Sequence, residues 1–219
     1  MIKYKLTTQD MRTRVGEFNE TQWAIGVNMP ELKGNTDLCD TGWYHYYHDP
    51  LLAVLLNPVH ADIDNPRCWR VEATGDHIDE NGIKGGCTKM RIVQEVVLPT
   101  VKEVHRVAFA ILCAKEVCKD PKWNEWADRW LSGEDRSKTS ATAAATAYAA
   151  AAYAAADAAA ASAAYAANAA NAYDASNAAY AAAYAAAYAA AYASNAAAAD
   201  ASWDYKKLLS IAKKAMEYS

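Results

Sequence analysis

The stretch Thr88–Pro99, TKMRIVQEVVLP, decides the fold class. Its β-branched residues and its alternation read as a strand, with Met90, Ile92 and Gln94 on one face and Arg91, Val93 and Glu95 on the other. Immediately before it, NGIKGG (81–86) reads as a turn, and CWRVEATGD (68–76), earlier in the chain, reads as a strand running into a turn at its own end. Further upstream, IKYKLT (2–7), TQWAIGVN (21–28) and GWYHYY (42–47) are strand candidates, and ELKGNTD (31–37) is a loop. Between them DPLLAVLLNP (49–58) reads as a short helix: Asp49 caps it, Pro50 takes its first position and Pro58 ends it.

Downstream the period changes from two to about 3.6. Thr100 and Glu103 have the spacing of a capping box, and Val101, Val104, Ala108 and Ile111 recur at helical intervals. Asp120-Pro121 separates this helix from the next. There Trp123, Trp126 and Trp130 form one stripe, which favours a core role over a ligand platform. The expected class is therefore α+β: a small β-rich domain with covering helices over 1–133, and a polar linker at 134–140.

The composition then shifts abruptly. Residues 1–138 hold 8 alanines, whereas 141–201 hold 41 in 61 positions, with no Pro or Gly. Alanine is the best helix former, so 141–202 is expected to form long Ala/Tyr-rich helices, as a hairpin or bundle. NAANAYDASN (168–177) is the best place for a turn within them, because Asn, Asp and Ser compete for their own backbone. Tyr180, Tyr184, Tyr188 and Tyr192 recur every four residues and are the candidate oligomerisation stripe. Residues 203–219 read as a C-terminal amphipathic helix that docks on the body of the protein or on a sister chain.

The net charge is −4 over 219 residues, and 139–205 contains no Lys or Arg, which disfavours nucleic-acid binding through that tract. No strongly apolar span suits a membrane helix, and the first residues lack the apolar run of a secretory signal. Five cysteines, with no C-x-x-C pair, point to reduced, buried or inert thiols in a cytoplasmic setting, the host cell cytoplasm if the protein is viral.

Chemistry-bearing residues are densest in CDTGWYHYYHDP (39–50). On a strand, His45 and Tyr47 share one face, while Tyr44, Tyr46 and His48 share the other. His45, Tyr47, His48 and His60 are the candidate ligand-binding residues, suited to a small polar or nucleotide ligand. No zinc-type spacing occurs, GIKGGC (82–87) lacks the Walker spacing, and no catalytic motif is present. Neither a cofactor nor a metal is expected, and catalysis is less favoured than binding.

The segments TQWAIGV, LCDTGWYHYYHDPLLAVLLNPVHAD, WRVEATGD and GCTKMRIVQEV, with the helical segment up to Ser137, resemble a domain of unknown function found in phage and prophage proteins. Those proteins carry a G-[WF]-[HY] core motif followed by alanine-rich repeats. The resemblance covers about residues 1–138 and implies a viral accessory or host-interaction protein, with no reaction attached. Combined with the tract, it makes a homo-oligomeric binding and assembly protein the leading expectation. The alternatives are a protein that binds or sequesters a nucleotide signal to counter host defence, and a nucleotide-transferring enzyme. A host protein or a nucleotide is the expected partner, with neither nucleic acid nor membrane.

Overall fold

The computed structural model describes residues 2–80, 84–118, 120–149 and 205–219. Its strands are β1 (Ile2–Thr7), β2 (Arg12–Thr13), β3 (Thr21–Gln22), β4 (Tyr44–Tyr46), β5 (Arg67–Glu80) and β6 (Lys84–Val96). Its helices are α1 (Pro50–His60), α2 (Glu103–Val117), α3 (Pro121–Ser132), α4 (Lys138–Ala149) and α5 (Tyr205–Ala215). The class is α+β. The chain divides into two compact units, Met1–Thr100 and Val101–Ser219.

In the first unit, four strands form one antiparallel sheet in the order β1-β5-β6-β4. The sheet curls until its edges meet. Tyr47, one residue past β4, exchanges both backbone hydrogen bonds with Tyr4 of β1, at 2.9 and 2.7 Å. Two irregularities in the β5–β6 ladder, after Arg70 and after Thr74, supply the coiling such a ring needs. At the second, Gly75 takes φ +77° and the next residue, Asp76, donates its N–H to Thr88 Oγ1 at 3.0 Å. A Cβ on Gly75 would lie 2.2 Å from that same oxygen, so only glycine fits.

The core inside the ring holds Trp23, Tyr44, Tyr46, Trp69, Val71, Ala73, Cys87, Met90 and Ile92. Its buried indoles are satisfied: Trp69 Nε1 donates to Thr7 Oγ1 at 2.8 Å and Trp23 Nε1 to Thr13 Oγ1 at 2.9 Å. Helix α1 packs against β1 and buries Leu51, Leu52, Leu55 and Leu56. Asp49 caps it, accepting from Leu51 N at 2.8 Å. Helix α1 runs through Pro58 rather than ending there. A proline forfeits one amide bond but can still take helical φ, and the chain turns instead beyond His60, where Asp62 adopts φ 47°.

Other elements differ from expectation: β5 does not end in a turn at 76 but runs on to Glu80, the Gly75–Asp76 irregularity being absorbed within the strand. Only Thr21–Gln22 of 21–28 is strand, because beyond it the chain makes single bridges to β6 at Ile25 and Asn28. Lys84, Gly85 and Gly86 belong to β6 rather than to the turn. There β4 passes so close that a Cβ on Gly85 would meet the Tyr46 ring at 2.5 Å. The Thr100–Glu103 box does not form, since α2 begins at Glu103. The N–H of Lys102 is taken by His105 Nδ1 at 3.1 Å.

In the second unit, Asp120 caps α3 by accepting from Lys122 N and Trp123 N at 2.8 and 3.0 Å, and Gly133 ends it at φ 82°. Trp123, Trp126 and Trp130 are all buried, as a stripe at helical spacing expects. Helix α5 packs on α2 through Leu208, Ile211, Ala212 and Ala215, and Lys207 pairs with Glu116 at 2.8 Å. Docking on the chain's own body thus accounts for its apolar face. Residues 138–140, read as linker, form the first turn of α4, because the Ser137 hydroxyl accepts the Ser140 N–H at 3.3 Å. The rest of the Ala/Tyr tract from residue 150, with Tyr180, Tyr184, Tyr188 and Tyr192, lies outside the described residues.

Candidate functional site

Beyond the Tyr4–Tyr47 bridge, β1 and β4 make no further backbone ladder among the described residues. A cavity of about 660 Å³ lies there, within the size range of small-molecule sites. Residues of β1, β4, the β2–β3 hairpin and the end of α1 all line it. Its aromatic walls are Trp23, Trp43, Tyr44, Tyr46 and Tyr47. Its cations are Lys5, Arg14 and Lys84, and its acids are Glu17 and Glu20. Glu20 is already engaged, accepting from Arg12 at 3.0 Å and from Gly16 N–H at 2.7 Å.

His45, Tyr47 and His60 come together in this cavity. The His45 ring is fixed as one neutral tautomer. Its Nε2–H donates to Leu38 O at 2.5 Å, and its Nδ1 faces Arg14 Nη2 at 3.3 Å as an acceptor. Burial, then the charge of Lys5, holds its pKa down at about 3. His60 closes the last turn of α1 and stacks on Tyr47, with centroids 6.1 Å apart and planes at 16°. Burial, helped by Lys84 and His45, brings its pKa to about 3, although a helix C-terminus ordinarily favours the cation. The His60 Nδ1 is buried without a hydrogen-bond partner among the described residues. The Tyr47 phenol is pushed well above its ordinary range by burial. All three rings therefore stay neutral at physiological pH.

His48 lies two residues past the end of β4, and its ring goes elsewhere, whereas residues from both faces of β4 line the cavity. Its Nδ1 lies 2.6 Å from Lys3 Nζ and its Nε2 2.5 Å from Asp79 Oδ2, with the Tyr46 ring edge-on at 5.7 Å. This polar cluster does not line the cavity. The residues that sequence reasoning passed over are Lys5, Arg14, Trp23, Trp43 and Lys84. Arg14 carried no signal: it follows β2 in a left-handed conformation, φ 56°, that costs a non-glycine residue roughly 1 kcal/mol. Of the five cysteines, all free, four are buried as expected, whereas Cys39 is exposed and accepts from Lys84 Nζ at 3.3 Å. Among the described residues no three His, Cys, Asp or Glu side chains converge as a metal site. No described helix is long and apolar enough to cross a membrane.

Fold and cavity together define an α+β domain with an aromatic-walled, partly cationic cleft. Residues 1–104, just under half of the chain, match the model of a family described as "Domain of unknown function (DUF7666)". No curated protein and no solved structure matches the chain.

Proposed function

We propose that the first unit is a small-molecule binding domain whose cavity takes up a ligand with a planar body and an acidic group. Nucleotides are the leading class. The observation that carries this reading is the positive field inside an aromatic-walled space, which Arg14 and Lys84 line together, with Lys5 charged in part of the molecules. An anion placed there relieves that field, while Trp23, Trp43 and Tyr47 offer faces to a planar group. The partnerless His60 Nδ1 offers one hydrogen bond to a ligand, as acceptor or donor according to the tautomer.

The test is a set of thermal melts of the full chain with AMP, ADP, ATP and benzoate, beside their uncharged analogues adenosine and benzamide. A ligand that binds only the native state raises Tm. At least one planar anion is expected to do so, its neutral analogue is not, and Arg14→Ala weakens the effect by about tenfold, the scale of one charge-assisted hydrogen bond. Equal shifts from anions and neutral analogues, or none from any compound, overturn the reading.

Assembly through the Ala/Tyr tract is the second part of the proposal, and it rests on composition alone: 41 alanines in 61 positions with tyrosines at a four-residue period. In this reading the tract gathers copies of the binding domain, as a phage-type accessory protein would require.

A further inference from the structure

Lys5 is 7% exposed, yet no carboxylate among the described residues is paired with it. Its Nζ donates to the backbone oxygen of His45 at 3.0 Å and lies 4.6 Å over the Trp23 ring. The nearest ionisable groups acting on it are the Cys87 thiol and the Arg14 guanidinium. A buried ammonium without an anion is costly, and losing the proton removes that cost. Burial accordingly brings the Lys5 pKa from 10.5 to about 7, so near neutrality roughly half the molecules carry a free amine there. Lys3, also on β1, differs: Asp79 supports its charge, and it does not line the cavity.

From this placement we infer that Lys5 captures a carbonyl group of the cavity's ligand as an imine, the ligand being an aldehyde or ketone that also bears an acidic group. The inference rests on the cavity being the binding site for a planar acid, and it puts a carbonyl-bearing acid in place of the nucleotide class. An amine kept neutral in a desolvated pocket is the arrangement that lets lysine act as a nucleophile toward carbonyls. Arg14 and Lys84 provide charge for the acidic group. In the step itself, the Nζ lone pair forms a bond to the carbonyl carbon while one N–H proton passes to the carbonyl oxygen, giving a carbinolamine. The remaining N–H proton and the hydroxyl then leave as one water, and the C=N bond forms. Nothing is oxidised or reduced, and no co-reactant is consumed.

The experiment incubates the full chain at pH 7 with 4-carboxybenzaldehyde and cyanoborohydride, which reduces an imine to a stable amine, followed by intact mass and peptide mapping. Lys5→Met and a competition with 4-methylbenzoate, which has the same shape but no aldehyde, run alongside. The expected result is a single adduct on Lys5, forming at least ~10-fold faster than on any surface lysine, whose amine stays protonated at this pH. The adduct is absent from Lys5→Met and slowed by 4-methylbenzoate. Labelling spread over surface lysines, or an equal yield in Lys5→Met, overturns the imine. Binding of 4-methylbenzoate, followed by tryptophan fluorescence, without a Lys5 adduct overturns the imine and leaves the binding reading standing. Binding of neither compound overturns both.

Discussion

Replacing Lys5 by methionine should make the protein more stable at neutral pH and less stable at alkaline pH. In the folded state burial holds the Lys5 pKa at about 7, against 10.5 for an ordinary lysine. The unfolded chain therefore binds more protons than the folded one between those values, and stability rises with pH across that window. Below pH 7 the whole penalty is present. At ~1.4 kcal/mol for each pH unit it amounts to roughly 3–5 kcal/mol, and it has vanished by about pH 10.5. Methionine is nearly isosteric and carries no charge to desolvate. What it forfeits is the Nζ–His45 O hydrogen bond and the contact of the charge with Trp23. Together these are worth about 1–2 kcal/mol. The net expectation is a gain of about 2–3 kcal/mol at pH 6.5 that falls with pH and changes sign by about pH 10. Urea unfolding followed by tryptophan fluorescence at pH 6.5 and 9.5 measures it. A stability difference that is the same at both pH values refutes the assignment of Lys5 as a buried, unpaired amine.

Three further outcomes are expected. Gly85→Ala places a methyl 2.5 Å from the Tyr46 ring and so should cost about 1–3 kcal/mol in urea unfolding, by overpacking. Asp120→Ala removes the acceptor of two amides at the start of α3 and should cost about 1 kcal/mol, read as a lower melting temperature. In the assembly reading, replacing Tyr180, Tyr184, Tyr188 and Tyr192 together by alanine should lower the assembled mass in sedimentation velocity, since half covering a tyrosine ring is worth roughly 1–2 kcal/mol. An unchanged mass with a raised melting point would make those tyrosines surface decoration.

Much of the fold was legible because its signals are local. Asp49-Pro50 and Asp120-Pro121 each mark a helix start with a cap and a proline that needs no donor. Met90 and Ile92 alternate with Arg91, and the two apolar residues are the buried ones. The tryptophan stripe likewise reports its own burial. Long-range closure was not legible. The ring depends on Tyr47 meeting Tyr4, 43 positions away in the chain, and no local pattern encodes that pairing. Its consequence escapes a periodicity argument on β1. IKYKLT reads as a strand, and alternation alone would send Lys3 and Lys5 to one common face without saying that it is covered. In fact both lysines are buried, because the ring covers one face while α1 packs against the strand. The candidate site was legible in part for the same reason. The density of His and Tyr in 43–48 marks the segment, but alternation does not sort it, since Tyr44 and Tyr46 line the cavity beside His45 and Tyr47, and only the tertiary fold brings in His60 and adds Lys5 and Arg14 from β1 and the β2–β3 hairpin.

The central claim is that the cavity beside β4 holds a small acidic ligand. Native mass spectrometry of the 23.8 kDa chain purified from cells, beside an Arg14→Ala/Tyr47→Ala variant, tests it most directly. The expected result is a wild-type protein carrying an additional small mass that gentle activation releases as an anion, and a folded variant without it. A wild-type mass equal to that of the bare chain, or an equal load on both proteins, would contradict the claim.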